Sequence, residues 1–395
     1  MSAPLAGLKV LDFSTLLPGP FASMLLADMG AEVLRIESPT RMDLLRVLPP
    51  HDRGTSASHA YLNRNKRSLA LDLKKPAAIE VVKQLVAEYD IVLDQFRPGV
   101  MDKLGIGYAA LKAVNPQLIY CAITGYGQTG PYKDRAGHDI NYLALSGSSA
   151  YTGRKDSGPL PLGLQVADVA GGSLHGVIGI LAAVVKRQAS GQGDFIDISM
   201  TDCAFSLNAM SAAGYLAAGQ EPEREGHALN GGSFYDYYQA RDGQWFAVGS
   251  LEPQFMQQLC AALGKPELAK QGLDQRPEVQ QALKAAIAEA FAEHDGSHWQ
   301  QVFAPLDACV EPVLSFAEAC KHPQLKAREL TQSVPLKAGS SEVQTQLACP
   351  IRFAEPLPAA RFAGAALGAH GAEVLAELGL TEVQIAQLRA DKVLA

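Results

Sequence analysis

The stretch Leu8-Lys9-Val10-Leu11-Asp12-Phe13, followed by Phe21 to Met29, Gly30 and Glu32-Val33-Leu34-Arg35-Ile36-Glu37, decides the fold class. The first hexapeptide reads as a buried strand, the segment after Pro20 as a helix stopped by glycine, and the last as a second strand. Outward from this β-α-β unit the alternation continues. Ser68 to Leu73, Ile91 to Phe96 and Leu118 to Thr124 read as strands, and Pro76 to Tyr89 as a helix with proline in its first turn. Such alternation predicts a mostly parallel sheet covered on both faces, a doubly wound α/β domain. The turn Ser14-Thr15-Leu16-Leu17-Pro18-Gly19-Pro20 contains neither a G-x-G-x-x-G nor a G-x-x-x-x-G-K-[ST] pattern, so nicotinamide and P-loop nucleotide readings lose their main support.

At 395 residues the chain is long enough for two domains. Lys and Arg number 34 against 41 Asp and Glu, a net charge of −7, which argues against a dedicated nucleic-acid binder or a basic membrane-surface protein. Any polyanionic ligand must then be met by a local basic cluster. The six cysteines are scattered, without C-x-x-C pairs or Cys/His spacing suited to zinc, and read as reduced thiols with no metal site. Met1 to Leu8 lacks the basic and apolar regions of a secretory signal, and the longest strongly apolar run, Gly176 to Val185, falls short of the roughly 18 residues that span a bilayer. A cytoplasmic protein without a membrane segment is expected.

The layout predicted along the chain is a large domain beginning with residues 1–190, a crossing segment at 191–224, a smaller α+β domain at 225–318, and a return to the large domain over 319–395. The crossing contains a Met/Ala-rich helix from Thr201 to Leu216 and the polar, Gly-rich Gly219 to Ser233. Trp245 to Gly249 and Pro312-Val313-Leu314 read as strands of the small domain. Near the end, Gly379 stops a helix and Thr381-Glu382-Val383-Gln384 spells a capping box that opens the next.

Three stretches place an ionisable group beside or near glycine: Gly137-His138-Asp139-Ile140-Asn141-Tyr142, Asp168-Val169-Ala170-Gly171-Gly172, and Gly249-Ser250-Leu251-Glu252-Pro253-Gln254-Phe255. They lie too far apart in sequence to form a local motif, so they can meet only through the fold. Each also has a plain structural reading. His138-Asp139 is an ordinary polar loop pair, Asp168 the cap of a helix running from Ser173 to Gln188, and Glu252 the acidic start of a helix opened by proline. The densest basic segment is Asn63-Arg64-Asn65-Lys66-Arg67, which by itself is an ordinary solvated face.

The opening G-L-K-V-L-D-F, Pro18-Gly19-Pro20, Asp28-Met29-Gly30-Ala31-Glu32-Val33, Asn65-Lys66-Arg67-Ser68, Phe96-Arg97-Pro98-Gly99, Gly125-Tyr126-Gly127-Gln128-Thr129-Gly130-Pro131 and the late E-V-L-A-E-L-G-L resemble the family III CoA-transferases, the CaiB/BaiF family, over nearly the whole chain. The G-H-D-I-N-Y and L-E-P-Q-F segments resemble its α-methylacyl-CoA racemase branch. The resemblance implies a Rossmann-like large domain, a small domain, and an interlocked homodimer whose site joins the large domain of one subunit to the small domain of the other. It implies a 2-methylacyl-CoA racemase working by 1,1-proton transfer, with coenzyme A as part of the substrate and no prosthetic group or metal.

A racemase of this kind needs two acid/base groups flanking a planar enolate. The resemblance assigns them to His138 and Asp168, with Glu252 as partner of the imidazole and Asp139 holding the loop. In the transferase branch the residue at Asp168 is instead a nucleophile, which makes CoA transfer between carboxylic acids the alternative activity; a non-catalytic acyl-CoA binder is a third. Arg64, Lys66 and Arg97 are assigned to CoA, with Lys103 as a further candidate. Ser38 stands where many relatives carry arginine, and Arg41 is assigned in its place. Gly171 and Gly172 are expected to let backbone N–H groups receive the enolate oxygen, and Gly127 and Pro18 to shape the acyl pocket.

Overall fold

A computed structural model describes residues 3–395. Six strands form one sheet: β1 (Lys9–Asp12), β2 (Glu32–Glu37), β3 (Lys66–Ala70), β4 (Ile91–Asp94), β5 (Ile119–Thr124) and β6 (Asp194–Ser199). Their order is β3-β2-β1-β4-β5-β6, with every neighbouring pair parallel. The direction of winding reverses between β1 and β4, and that reversal opens a crevice at the carboxyl ends of the strands where open α/β sheets bind ligands.

The expected doubly wound sheet is therefore present, and the side chains explain it. Alternate residues of a strand face opposite sides, and here Val10, Leu93, Ile119, Cys121 and Ile123 enter one core while Leu11, Val92, Tyr120 and Ala122 enter the other. Both faces are thus covered. α1 (Pro18–Asp28) fills the first β-α-β connection and is buried along almost its whole length; α2 (Pro76–Glu88) buries Val81, Val82, Leu85 and Val86 on the opposite face. The capping box at Thr381 is formed: Gln384 N–H donates to Thr381 Oγ1 at 3.3 Å and Thr381 N–H to Gln384 Oε1 at 2.8 Å.

β6 escapes the sequence reading because Asp194-Phe195-Ile196-Asp197-Ile198-Ser199 mixes polar with apolar residues, as suits an edge strand. β3 begins at Lys66 rather than Ser68, since both basic residues that start it find acidic or carbonyl partners inside the fold. The expected pause between Asp168 and a helix at Ser173 is absent. Residues Ala167–Leu174 are wound as a π-helix that runs directly into α4 (His175–Ser190), and α3 (Asp139–Leu145) precedes them. The run Ala167–Ser190 is long and apolar enough to cross a membrane by length and composition alone. Its Gly176, Val177, Ile180 and Ala183 are buried, Val177, Ile180 and Ala183 within the core on that face of the sheet.

The chain divides into two compact units: Met1–Ser146, Leu162–Leu207 and Lys326–Ala395 in the first, Gly147–Pro161 and Asn208–Leu325 in the second. The sequence places the smaller domain at 225–318; the second unit is wider. Within it β7 (Asp236–Gln239), β8 (Trp245–Val248) and β9 (Val310–Pro312) form an antiparallel sheet in the order β9-β8-β7, over a core containing Phe234, Phe246, Phe291 and Trp299. Arg154 ties residues 147–161 into this unit by a bidentate pair with Asp236 at 2.7 and 2.6 Å. The predicted crossing helix is two helices, α5 (Met200–Ser206) and α6 (Ala209–Ala218), and the return segment contains the unforeseen hairpin β10 (Thr331–Pro335) and β11 (Val343–Leu347).

The basic segment at 63–67 lies inside the first unit. Arg64 is fully buried, its Nε donating to Asp28 Oδ1 at 2.9 Å, its second nitrogen paired with Oδ2, and Nη1 donating to the Leu347 carbonyl at 2.6 Å. It joins the end of α1 to β11. Lys66 is equally buried, donating to Pro20 O at 2.8 Å and Asn63 Oδ1 at 3.1 Å beside Asp12, and burial pulls its pKa down to about 8. Removing one partner of a buried pair strands the other charge. Arg64→Ala is expected to lose about 3 to 5 kcal/mol of stability in urea unfolding, while exposed Lys103→Ala stays within about 0.5 kcal/mol. Equal unfolding midpoints for the two variants would contradict this assignment.

Candidate functional site

The crevice at the strand ends contains a cleft of about 260 Å³. Leu16 and Pro18 follow β1, Gln95, Phe96, Arg97 and Pro98 follow β4, Thr124 ends β5 and Gly125 and Tyr126 follow it; His138, Tyr142, Asp168, Met200, Lys133 and Arg135 also line the cleft. The first loop is held from below. Buried Arg35 pairs with Asp43 and with Glu37 at 3.0 Å, and Asp43 Oδ1 accepts the Leu16 N–H at 3.3 Å, where Leu16 adopts a left-handed φ of 60°. A charged network under the sheet's end thereby sets one wall.

The second wall depends on two glycines and a tyrosine. A Cβ at either Gly125 or Gly137 would stand 2.6 Å from the Tyr142 ring, so only glycine admits the ring at both positions. The Tyr142 hydroxyl donates to the Gly137 carbonyl, which fixes the backbone just before His138. Asn141 Oδ1 then accepts the His138 N–H at 3.0 Å, and Asn141 N–H donates to the His138 carbonyl at 2.8 Å, so His138 opens α3 in an extended conformation and its exposed side chain faces the cleft.

Asp139, the first residue of α3, accepts the backbone N–H of Asp168 on its Oδ1 at 3.0 Å. This bond brings the two sequence stretches together. Burial pushes the Asp168 carboxyl up to about 6 from its usual 3.8; the Asp139 carboxylate raises it further, and His138 opposes the rise. A carboxyl tuned in this way changes its protonation near neutral pH, as a general acid or base requires.

The other expected residues are divided. Pro18 and Arg97 line the cleft with His138 and Asp168, and Lys103 is exposed on the short helix Val100–Leu104 that follows β4. Arg41 is exposed beyond β2, its N–H donating to Ser38 Oγ at 3.0 Å. Arg64 and Lys66, expected at the ligand, point into the fold because Asp28 and Asp12 draw their charges inward. Gly171 and Gly172 are buried in the π-wound turn against Met200, Pro18 and Ile123 and do not line the cleft. Gly127, at φ 80°, turns the chain beside Ser199 and Asp197 and lines a separate depression with Tyr126 and Tyr132. Glu252 lies on the second unit, exposed, as the cap residue before Pro253–Ala262; Met256 N–H donates to its carbonyl at 3.0 Å.

Lys133 and Arg135 line the cleft, and the sequence reading misses both. The Arg135 guanidinium lies 3.8 Å from the Tyr132 ring centroid, and Tyr132 packs edge-on against Tyr126, which does the same against Tyr142. Among the described residues neither cation is paired with a carboxylate, and Arg97 likewise is not. Their sequence signal is K-D-R directly ahead of G-H-D, which a search for the densest basic run passes over. No group of three metal-ligating side chains occurs among the described residues.

The profile described as CoA-transferase family III matches residues 5–371. The human protein named alpha-methylacyl-CoA racemase is 38% identical over 99% of this chain and 97% of its own length. A succinyl-CoA--D-citramalate CoA-transferase from Chloroflexus aurantiacus is 33% identical over 99% of this chain and 98% of its own. Among solved structures, a CaiB/BaiF family protein from Brucella suis superposes with a TM-score of 0.82 at 33% identity, covering 96% of this chain and 100% of that one.

A carboxyl whose pKa is higher folded than unfolded binds more protons in the native state between pH 4 and 6, so it opposes folding increasingly as pH rises to about 6. Asp168→Asn is therefore expected to raise the urea midpoint at pH 8, with the gain shrinking as pH falls from about 6 towards 4. A gain that does not change with pH would contradict the origin assigned to the shift.

Proposed function

We propose, from the premise that the chain belongs to CoA-transferase family III, that it racemises 2-methylacyl-CoA thioesters by 1,1-proton transfer. The observation that carries this reading is the presence of His138 and Asp168 in one cleft, with the carboxyl raised to about 6. One of the two groups takes the proton from the α-carbon, the electron pair moves into the thioester carbonyl, and an enolate forms. The other, protonated, returns a proton to the opposite face. Each group ends in the protonation state with which the other began, so no net proton is consumed. Support also comes from human and mouse relatives named alpha-methylacyl-CoA racemase, 38% and 35% identical.

The rest of the site follows from the substrate's chemistry. CoA phosphates need cations that can reach them, and Arg97, Lys133 and Arg135 take that role here in place of Arg64 and Lys66. Arg41 and Lys103 are kept as outer candidates. Glu252 is assigned to orient the His138 imidazole on the strength of the family resemblance. A homodimer belongs to the same reading, and Ile178 and Val185, 62% and 66% exposed on one face of α4, are in keeping with a second copy covering them.

A second reading, CoA transfer between two carboxylic acids, is favoured by transferase-named relatives at 33% and 34% identity. In it Asp168 attacks the acyl-CoA carbonyl and CoA thiolate leaves a mixed anhydride; the thiolate attacks the aspartyl carbon and expels the first carboxylate as an aspartyl-CoA thioester forms; the second carboxylate then displaces the thiolate, which returns to that acid's acyl carbon and frees Asp168. His138 has no required part in that sequence.

Two outcomes test these readings. In heavy water the protein is expected to introduce deuterium at the α-carbon of a 2-methylacyl-CoA, with His138→Ala and Asp168→Ala each slowing exchange of one enantiomer, a different one for each variant, by about a hundredfold or more; absence of exchange over a panel of branched acyl-CoAs, with a CoA adduct trapped on Asp168, supports transfer instead. Lys133→Ala combined with Arg135→Ala is expected to raise KM for the acyl-CoA about tenfold, and to leave KM for the matching acyl-pantetheine nearly unchanged. Equal effects on both substrates would remove these cations from phosphate recognition.

A further inference from the structure

The π-wound segment Ala167–Leu174 is eight residues long. π winding occurs mostly as single turns and recurs at functional sites. Its local cause is packing. A Cβ on Gly172 would lie 3.0 Å from Pro18 Cβ, 3.1 Å from Met200 Cγ and 3.2 Å from Ile123 Cγ2, and one on Gly171 would lie 3.2 Å from the Met200 carbonyl. The paired glycines let the wide turn press against α1, α5 and β5 together.

Two polar side chains then use the i to i+5 spacing that this winding creates. His175 Nδ1 lies 2.6 Å from the Ala170 carbonyl. Ser173, with no exposed surface, has its Oγ 2.7 Å from the Pro18 carbonyl and 3.2 Å from the Asp168 carbonyl. Pro18 is the first residue of α1 and a wall of the cleft; Asp168 carries its carboxyl. A single hydroxyl therefore stands between the wall and the backbone of the residue that works against it. In an α-helical turn the residue five positions on would face away from the Asp168 carbonyl.

We propose that Ser173 is a positioning residue whose buried hydroxyl, bridging the main chains of Pro18 and Asp168 across the wide turn, fixes where the Asp168 carboxyl stands relative to Asp139 and the cleft. This rests on Asp168 being the working carboxyl of the proposed function, whichever reaction it serves. The charged groups that act on that carboxyl are Asp139 and His138 at the start of α3, with Tyr142 close by, and Arg97, Lys133 and Arg135 line the same cleft. A shift of the turn alters the carboxyl's distance to all of them.

The test reads the Asp168 titration directly, in 13C spectra of protein labelled at aspartate carboxyls, with Asp168→Asn to assign the signal. Ser173→Ala is expected to move the midpoint by about half a pH unit or more, and to lower kcat for α-proton exchange about tenfold with KM within about twofold. Gly172→Ala keeps the hydroxyl but pushes the turn off Pro18; it is expected to move the midpoint as well, and it decides alone if Ser173→Ala does not fold. An unchanged midpoint in the folded variants overturns the inference, whatever happens to exchange. A moved midpoint in a protein whose wild type exchanges no α-proton contradicts the proposed racemase activity and supports the positioning role.

Discussion

The site depends on keeping one carboxyl partly out of water and next to a second carboxylate. Asp168 is raised towards neutrality by burial first and by Asp139 second, and neither effect survives a loose backbone. The hydrogen bond from Asp168 N–H to Asp139 Oδ1 holds the pair together. It also joins the start of α3, where His138 stands, to the π-wound turn. His138 and Asp168, separated by a long stretch of chain, thus share one fixed frame.

That frame is built on the sheet. The reversal of winding between β1 and β4 brings the loops after β1, β4 and β5 to one place, and the first and last are stiffened differently: the first by the buried Arg35–Asp43 pair, the last by the Tyr142 ring lodged between Gly125 and Gly137. Buried ion pairs are a doubtful source of net stability. Arg35–Asp43 and Arg64–Asp28 are better understood as specifying geometry, the former the turn at Leu16 and the latter the seating of β11 on α1.

Much of this frame is legible in the amino-acid sequence. Alternating apolar runs locate five of the six sheet strands, because buried parallel strands are nearly continuous in Val, Ile and Leu. The edge strand β6 carries two aspartates and escapes. His138, Asp139, Asp168, Arg97 and Pro18 are legible through motif resemblance, and the fold brings four of them to the cleft's surface with Asp139 just behind. What sequence does not reveal is direction. Arg64 and Lys66 look like a surface patch until Asp28 and Asp12, far away in sequence, turn them inward. Gly171-Gly172 looks like a break before a helix, whereas the glycines serve close packing within one. Lys133 and Arg135 are hidden for the opposite reason, a sparse pair made effective by where the loop ends.

The proposed racemisation requires two different groups to address opposite faces of one α-carbon. The most direct measurement follows loss of α-deuterium from each enantiomer of a 2-methylacyl-CoA separately, in ordinary water, for wild type, His138→Ala and Asp168→Ala. Wild type is expected to exchange both enantiomers, while each variant retains measurable washout from one enantiomer only, and from opposite ones. Washout lost equally from both enantiomers in Asp168→Ala and preserved for both in His138→Ala would contradict the two-group assignment.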